Sequence, residues 1–172
     1  MVRSVRCWRT GLLSLCLPAC LATAEPGAAE GRVYSTWDVF EPDKCASIWL
    51  IKRHVDPGAV FRFYPRGEAI AEGIAFDTPD ARFRRYHDRS TFESLLQHHK
   101  LDAPRLVYLG RLIHDMEVNI WERKALAETR DVEEELQRLL ADGDAERLVR
   151  VCIDHFDGLE RGLLADSPRS PK

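Results

Sequence analysis

The stretch Asp43-Lys44-Cys45-Ala46-Ser47-Ile48-Trp49-Leu50-Ile51-Lys52-Arg53-His54 places apolar residues on almost every side of a helical wheel. Asp43 stands where a helix cap belongs, and Cys45, Ala46, Ile48, Trp49, Leu50 and Ile51 leave little polar surface. A helix that is apolar nearly all round has to be enclosed by other elements. The flanking sequence must therefore supply partners on several sides of this one helix.

Ahead of it, Arg32 to Phe40 is β-branched and aromatic and predicts a strand. Behind it, Asp56-Pro57-Gly58 is a turn, and Val60 to Tyr64 alternates as a second strand closed by Pro65. A short helical turn is expected at Glu68 to Glu72. Short strands are expected at Ile74-Ala75-Phe76 and at Ala81 to Tyr86, with a loop at Asp77 to Asp80.

Ser90-Thr91-Phe92-Glu93 matches a capping box and opens a helix to about Lys100. Pro104 suits the start of the next helix, which the spacing of Leu106, Leu109, Ile113, Met116 and Ile120 carries to about Lys124. Helices over Asp131 to Leu140 and Asp144 to Leu164, broken at Asp142-Gly143, complete the second half. Strands followed by helices predict an α+β domain, a small sheet from the N-terminal half packed against a helical C-terminal half. Trp37, Trp49 and Trp121 are expected in its core.

The first 24 residues hold Arg3, Arg6 and Arg9 and no acid, then the apolar run Gly11 to Leu21, then Ala22-Thr23-Ala24. That order predicts a cleavable export signal over residues 1–24. A run of about 11 apolar residues is too short to span a bilayer. Leu17-Pro18-Ala19-Cys20 offers the rival reading of a lipoprotein signal, which Pro18 fits poorly.

Residues 25–31 then read as a flexible leader, 32–165 as one domain and 166–172 as a disordered tail. Removing the three arginines reduces 25 basic residues to 22 against 28 acidic ones, a formal charge of −6. An acidic domain without a basic cluster is a poor nucleic-acid binder. Cys45 and Cys152 remain; both read as buried, and their spacing leaves open whether they pair. No transmembrane segment is expected after signal removal, and the oligomeric state stays open.

The block Asp43 to Arg53, with Val55-Asp56-Pro57-Gly58-Ala59-Val60-Phe61 close behind, resembles the opening of the chromate-resistance exported protein family, a domain similar to the C-terminal part of the chromate-resistance regulator ChrB. Ala75-Phe76-Asp77, Tyr86-His87 with Thr91-Phe92, and Ile113-His114-Asp115-Met116-Glu117 resemble later segments of the same family, as, more weakly, does Phe156-Asp157-Gly158-Leu159. The resemblance covers roughly Trp37 to Glu160. In two places this chain departs from the pattern: Cys45 stands two positions early, with Ser47 where cysteine is common, and Glu117 replaces an aspartate. What the resemblance implies is a part in resistance to chromate.

Two candidate sites follow from the residues. His114 and Glu117 share a helical face, and His87 and Asp77 come from the strand-loop half; together they form a candidate set for a divalent metal ion. Lys44, Lys52 and Arg53 bracket the buried helix, and with its N-terminal N–H groups they are a candidate seat for a tetrahedral oxyanion. Asp43 at the cap opposes an anion there.

A phosphate-binding glycine loop, a serine elbow and a zinc knuckle are all missing, so no nucleotide cofactor is expected. Three functions fit: an exported module that binds or senses chromate or a related oxyanion or metal in the periplasm, a metal-dependent enzyme of unknown reaction, or a structural envelope protein.

Overall fold

In the computed structural model, which describes residues 31–166, the apolar stretch forms helix α1 (Pro42–Leu50), continued by a π-helical turn (Ile51–Val55). Every residue from Asp43 to Leu50 is buried. The enclosure comes from α2 (Thr91–His99), α3 (Pro104–Glu117), α4 (Thr129–Leu140) and α5 (Ala145–Asp166), all of which contact α1.

Strand β1 (Val33–Trp37) lies between β2 (Val60–Tyr64) and β3 (Ile74–Ala75) and is parallel to both. Val33 faces Val60, Trp37 faces Tyr64, and Tyr34 faces Ile74 across the sheet. Parallel neighbours need a crossover, and α1 is the one between β1 and β2. The protein is thus α+β, with a small sheet from its N-terminal half and helices mostly in its C-terminal half.

Trp49, Phe92, Phe156, Leu109 and Tyr34 anchor the core. The Trp49 ring stacks on Phe92 at 6.4 Å between centroids, and its Nε1–H donates to Asp157 of α5 at 2.9 Å. Cys45 and Cys152 are joined in a disulfide that ties α1 to α5 across 107 residues of sequence.

Helix α3 stops at Glu117, not near Lys124. The Asp115 carboxylate explains this: it accepts from the Asn119 amide, the Ala125 and Leu126 N–H groups and the Thr129 hydroxyl, so residues 118–128 fold back as a loop. Lys124 Nζ donates to the Asp115 carbonyl at 2.6 Å and so partners one of the last carbonyls of the helix. Ile120 consequently leaves the apolar stripe, and Trp121, expected in the core, is 91% exposed. Trp37 is half-buried, with its indole N–H donating to the Glu68 carbonyl. Residues 68–72 form no helix, and 81–86 contribute only the isolated bridges Phe76–Phe83 and Tyr86–Arg89.

The expected signal (1–24), the leader before Gly31 and the tail after Asp166 lie outside the described residues. Among the described residues, no helix is long and apolar enough to cross a membrane.

Candidate functional site

Asp43 does not cap its own helix. Glu41 is the N-cap of α1, and Pro42 fills a first-turn position that needs no N–H partner. Asp43 points instead at the start of α2, where Oδ2 accepts from the Thr91 N–H (2.7 Å) and Oδ1 from the Phe92 N–H (2.9 Å). Ser90 Oγ accepts from the Glu93 N–H, and the Glu93 carboxylate accepts from the Ser90 N–H, which completes the capping box. All four N–H groups that a helix start leaves without intrahelical partners are therefore satisfied. A carboxylate from a different element supplies two of those bonds.

Around this junction lies a cluster of buried charge. Asp77, in the left-handed region at φ 52°, accepts from the Thr91 hydroxyl at 2.8 Å and lies 3.6 Å from Lys44 Nζ. Lys44 donates to the carbonyls of Trp37 (2.8 Å) and Val39. Arg85 pairs with Glu117 (3.0 Å) and Glu41 (3.1 Å), and its Nε stands 3.5 Å from Asp43.

Burial pushes the Asp43 carboxyl up to about 6, against the pull of the Phe92 and Thr91 N–H groups and Arg85. Burial, then the Asp43 charge, pushes Asp77 up to about 7, with Lys44 and the Thr91 hydroxyl acting the other way. Burial also raises Glu117 against Arg85, and it lowers Lys44 against Asp77. Carboxylates held near neutrality beside a cleft are a mark of functional sites.

The cleft has a volume of about 440 Å³ and opens beside Asp77 and Lys44. Its charged lining consists of Lys44, Arg66, Arg84 and Arg85 against Glu41 and Asp77. Arg66 is exposed and Arg84 half-buried over the Tyr86 ring; among the described residues, neither has a carboxylate within ion-pairing distance. The cleft thus offers two guanidinium groups with unused donors, backed by two cationic groups that are already engaged.

The expected metal quartet is divided between two places. His114 pairs with Glu93 of α2, Nδ1 to Oε2 at 3.0 Å, and with His87 lines a separate cavity of about 630 Å³. Glu117 turns toward Arg85 and the Asp43 N–H, and Asp77 toward Thr91 and Lys44. Among the described residues, no group of three or more His, Cys, Asp or Glu side chains is arranged to hold a metal ion. The reason is directional: His114 and Glu117 share a face of α3 but meet different neighbours, α2 and the start of α1.

The expected oxyanion trio is divided too. Lys44 lines the cleft from the first turn of α1, whereas Lys52 and Arg53 sit on the π-helical turn at the far end. Lys52 donates to the Ala59 carbonyl, and Arg53 grips Asp157 with two bonds (3.0 and 2.7 Å). Arg66, Arg84 and Arg85 take their place around Lys44, and the sequence reading does not single them out. The Arg84-Arg85 pair a few residues after Asp77 is the available signal, although such runs are commonly solvated.

The model of the family "ChrB, C-terminal domain" matches residues 34–162, which cover the sheet except Val33, all of α1 and most of α5. Protein ChrB of Cupriavidus metallidurans is 33% identical over 96 residues, which is 55% of this chain but 30% of that protein. This chain thus matches under a third of the relative's length. No solved structure matches. The enclosed α1, the charged cleft and nearly all of the sheet therefore sit within the matched span, and the chain belongs to the family of the ChrB C-terminal domain.

Proposed function

We propose that this domain serves chromate resistance by binding chromate or a related tetrahedral oxyanion in the 440 Å³ cleft. The observation that carries the reading is the pair of guanidinium groups, Arg66 and Arg84, which face the cleft without carboxylate partners among the described residues. Guanidinium donors match oxyanion geometry and stay charged at every physiological pH. Lys44 directs its N–H groups at Trp37, Val39 and Asp77, so it contributes field and not a further bond to the ligand.

The domain works outside the cytoplasm in this reading. Support comes from the export-type leader in the sequence and from the Cys45–Cys152 disulfide, a bond that persists in oxidising compartments.

Isothermal titration of the protein with chromate tests the binding. Removing one good charge-assisted hydrogen-bond donor should weaken it by about tenfold. The Arg66→Ala/Arg84→Ala double variant should therefore bind about a hundredfold more weakly with an unchanged melting temperature. Absence of chromate binding, or equal affinity in the double variant, defeats the assignment.

A further inference from the structure

An anion site would ordinarily exclude carboxylates, yet Asp77 lines this one. Its place is firmly built. The Asp77 N–H donates to the Phe83 carbonyl at 2.7 Å, and Oδ1 accepts from the Thr91 hydroxyl. Oδ2 faces Lys44 Nζ at 3.6 Å and has no second partner among the described residues, so one of its lone pairs is left toward the cleft. A carboxylate oxygen left with a free lone pair among guanidinium groups has one chemically consistent contact with an oxyanion: an O–H shared between the two.

Resting on the oxyanion reading above, we propose that Asp77 and the ligand share one proton, so that the cleft prefers tetrahedral oxyanions that carry a proton near neutral pH over sulfate, which carries none. The proton balance is simple. A hydrogen-oxyanion brings its own proton and donates it in a hydrogen bond to ionised Asp77 Oδ2. Sulfate must receive that bond from a protonated Asp77, so the protein has to take a proton from solvent when sulfate binds. Without it, two bare anionic oxygens would face each other in a half-enclosed site.

The groups that set the Asp77 proton are its neighbours. Asp43 and Lys44 face it from α1, Thr91 from α2 and Arg85 from the loop before α2, while Glu117 of α3 feels its charge. Burial and Asp43 favour the protonated form, and Lys44, Thr91 and Arg85 favour the ionised one. The balance falls near neutrality, where phosphate and arsenate still carry a proton after losing one and chromate exchanges its single proton. The device therefore separates phosphate and arsenate from sulfate by proton content, and chromate from sulfate only while chromate is protonated, where size and shape barely differ.

The test is isothermal titration of the full chain with inorganic phosphate and with sulfate across about pH 6 to pH 9. For the unaltered protein, sulfate affinity should fall by about tenfold per pH unit once Asp77 ionises, while phosphate affinity stays nearly level. Binding of sulfate, but not of phosphate, should take up protons, which is seen by repeating the titration in buffers of different ionisation heat. Asp77→Asn keeps an acceptor for Thr91, tolerates the left-handed backbone and presents an N–H donor to any oxyanion. In that variant sulfate binding should lose its pH dependence and phosphate should lose its advantage.

Parallel pH profiles for the two anions in the unaltered protein, with Arg84→Ala still weakening both, would overturn the shared proton and leave the cleft standing. Failure of both anions and chromate to bind overturns the cleft and the shared proton together.

Discussion

Replacing Asp43 by alanine should be among the most damaging single changes on α1, and the structure gives its size. The side chain accepts two bonds, from the Thr91 and Phe92 N–H groups, and both of those residues are fully buried. Solvent does not reach either group, and each buried N–H left without a partner costs about 1–3 kcal/mol. The gross loss is therefore about 2–6 kcal/mol.

Part is offset, because burying a carboxylate is itself unfavourable and Arg85 keeps Glu117 and Glu41 when Asp43 is gone. We expect a net loss of about 2–4 kcal/mol, or about 8–16 °C in melting temperature for a domain of this size. Asp43→Asn retains one acceptor oxygen and should cost about half as much. Ser90→Ala removes a single neutral acceptor at the same helix start and should cost about 1 kcal/mol.

Urea melts followed by circular dichroism give the free energies, and hydrogen exchange gives the location: the Thr91 and Phe92 amides should lose protection in Asp43→Ala beyond the global change. A loss under about 1 kcal/mol, or unchanged exchange at those two amides, would refute the claim that α1 caps α2.

The raised carboxyls also fix the direction of their own contribution to the pH dependence of stability. Asp43 and Asp77 have folded values of about 6 and about 7, above the ordinary aspartate value of 3.8, so the folded state holds extra protons between these limits. Their contribution is full below about pH 4 and is lost as pH rises through about 6 to 7, while Asp115, held down to about 2, loses its contribution only on strong acidification. The carboxyls' share of stability therefore falls from pH 5 to pH 8, while the share of His54, His99 and His155, which burial lowers, rises. The urea midpoint of Asp77→Asn should accordingly rise relative to that of the unaltered protein over this range, and parallel profiles contradict the burial of Asp77. The Cys45–Cys152 bond closes a long loop, so replacing both cysteines by alanine should cost about 3–5 kcal/mol on chain-entropy grounds, checked by urea melts of the two forms.

How much of this can be read in the chain depends on whether the cause is local. The enclosure of α1 follows from its own composition, and the start of α2 from Ser90 and Glu93, three residues apart. The end of α3 is not legible, because apolar spacing runs on to Ile120 while the actual stop is a carboxylate, Asp115, gathering groups 4 to 14 residues ahead. Asp43 looks like a local cap for the same reason: nothing near it in sequence shows that its two N–H partners lie 48 and 49 positions away. At the site, Lys44 and Asp77 stand out in the sequence but as parts of two different ligand sets. The pairing of buried Lys44 with Asp77, and the turning of His114 toward Glu93, are set by helix packing that no spacing rule encodes.

The same packing explains why the cleft sits on the most buried helix and not on a mobile loop. Along one turn of α1, Asp43 reaches α2, Lys44 reaches the cleft and Cys45 is bonded to α5, and one turn further Trp49 fills the centre of the core. Lys44 cannot swing away without leaving two backbone carbonyls and Asp77 unpaired, and Asp43 cannot move without uncapping α2. Interiors packed at this density pass displacement on to their neighbours instead of absorbing it. The cleft's inner wall is therefore preorganised, and the ordering that binding requires falls on Arg66 and Arg84 at the rim, whose side chains are the more exposed. Affinity in such a site is set by how well two rim arginines meet the ligand. Selectivity is set by the fixed groups behind them, because only those hold their positions whichever anion enters.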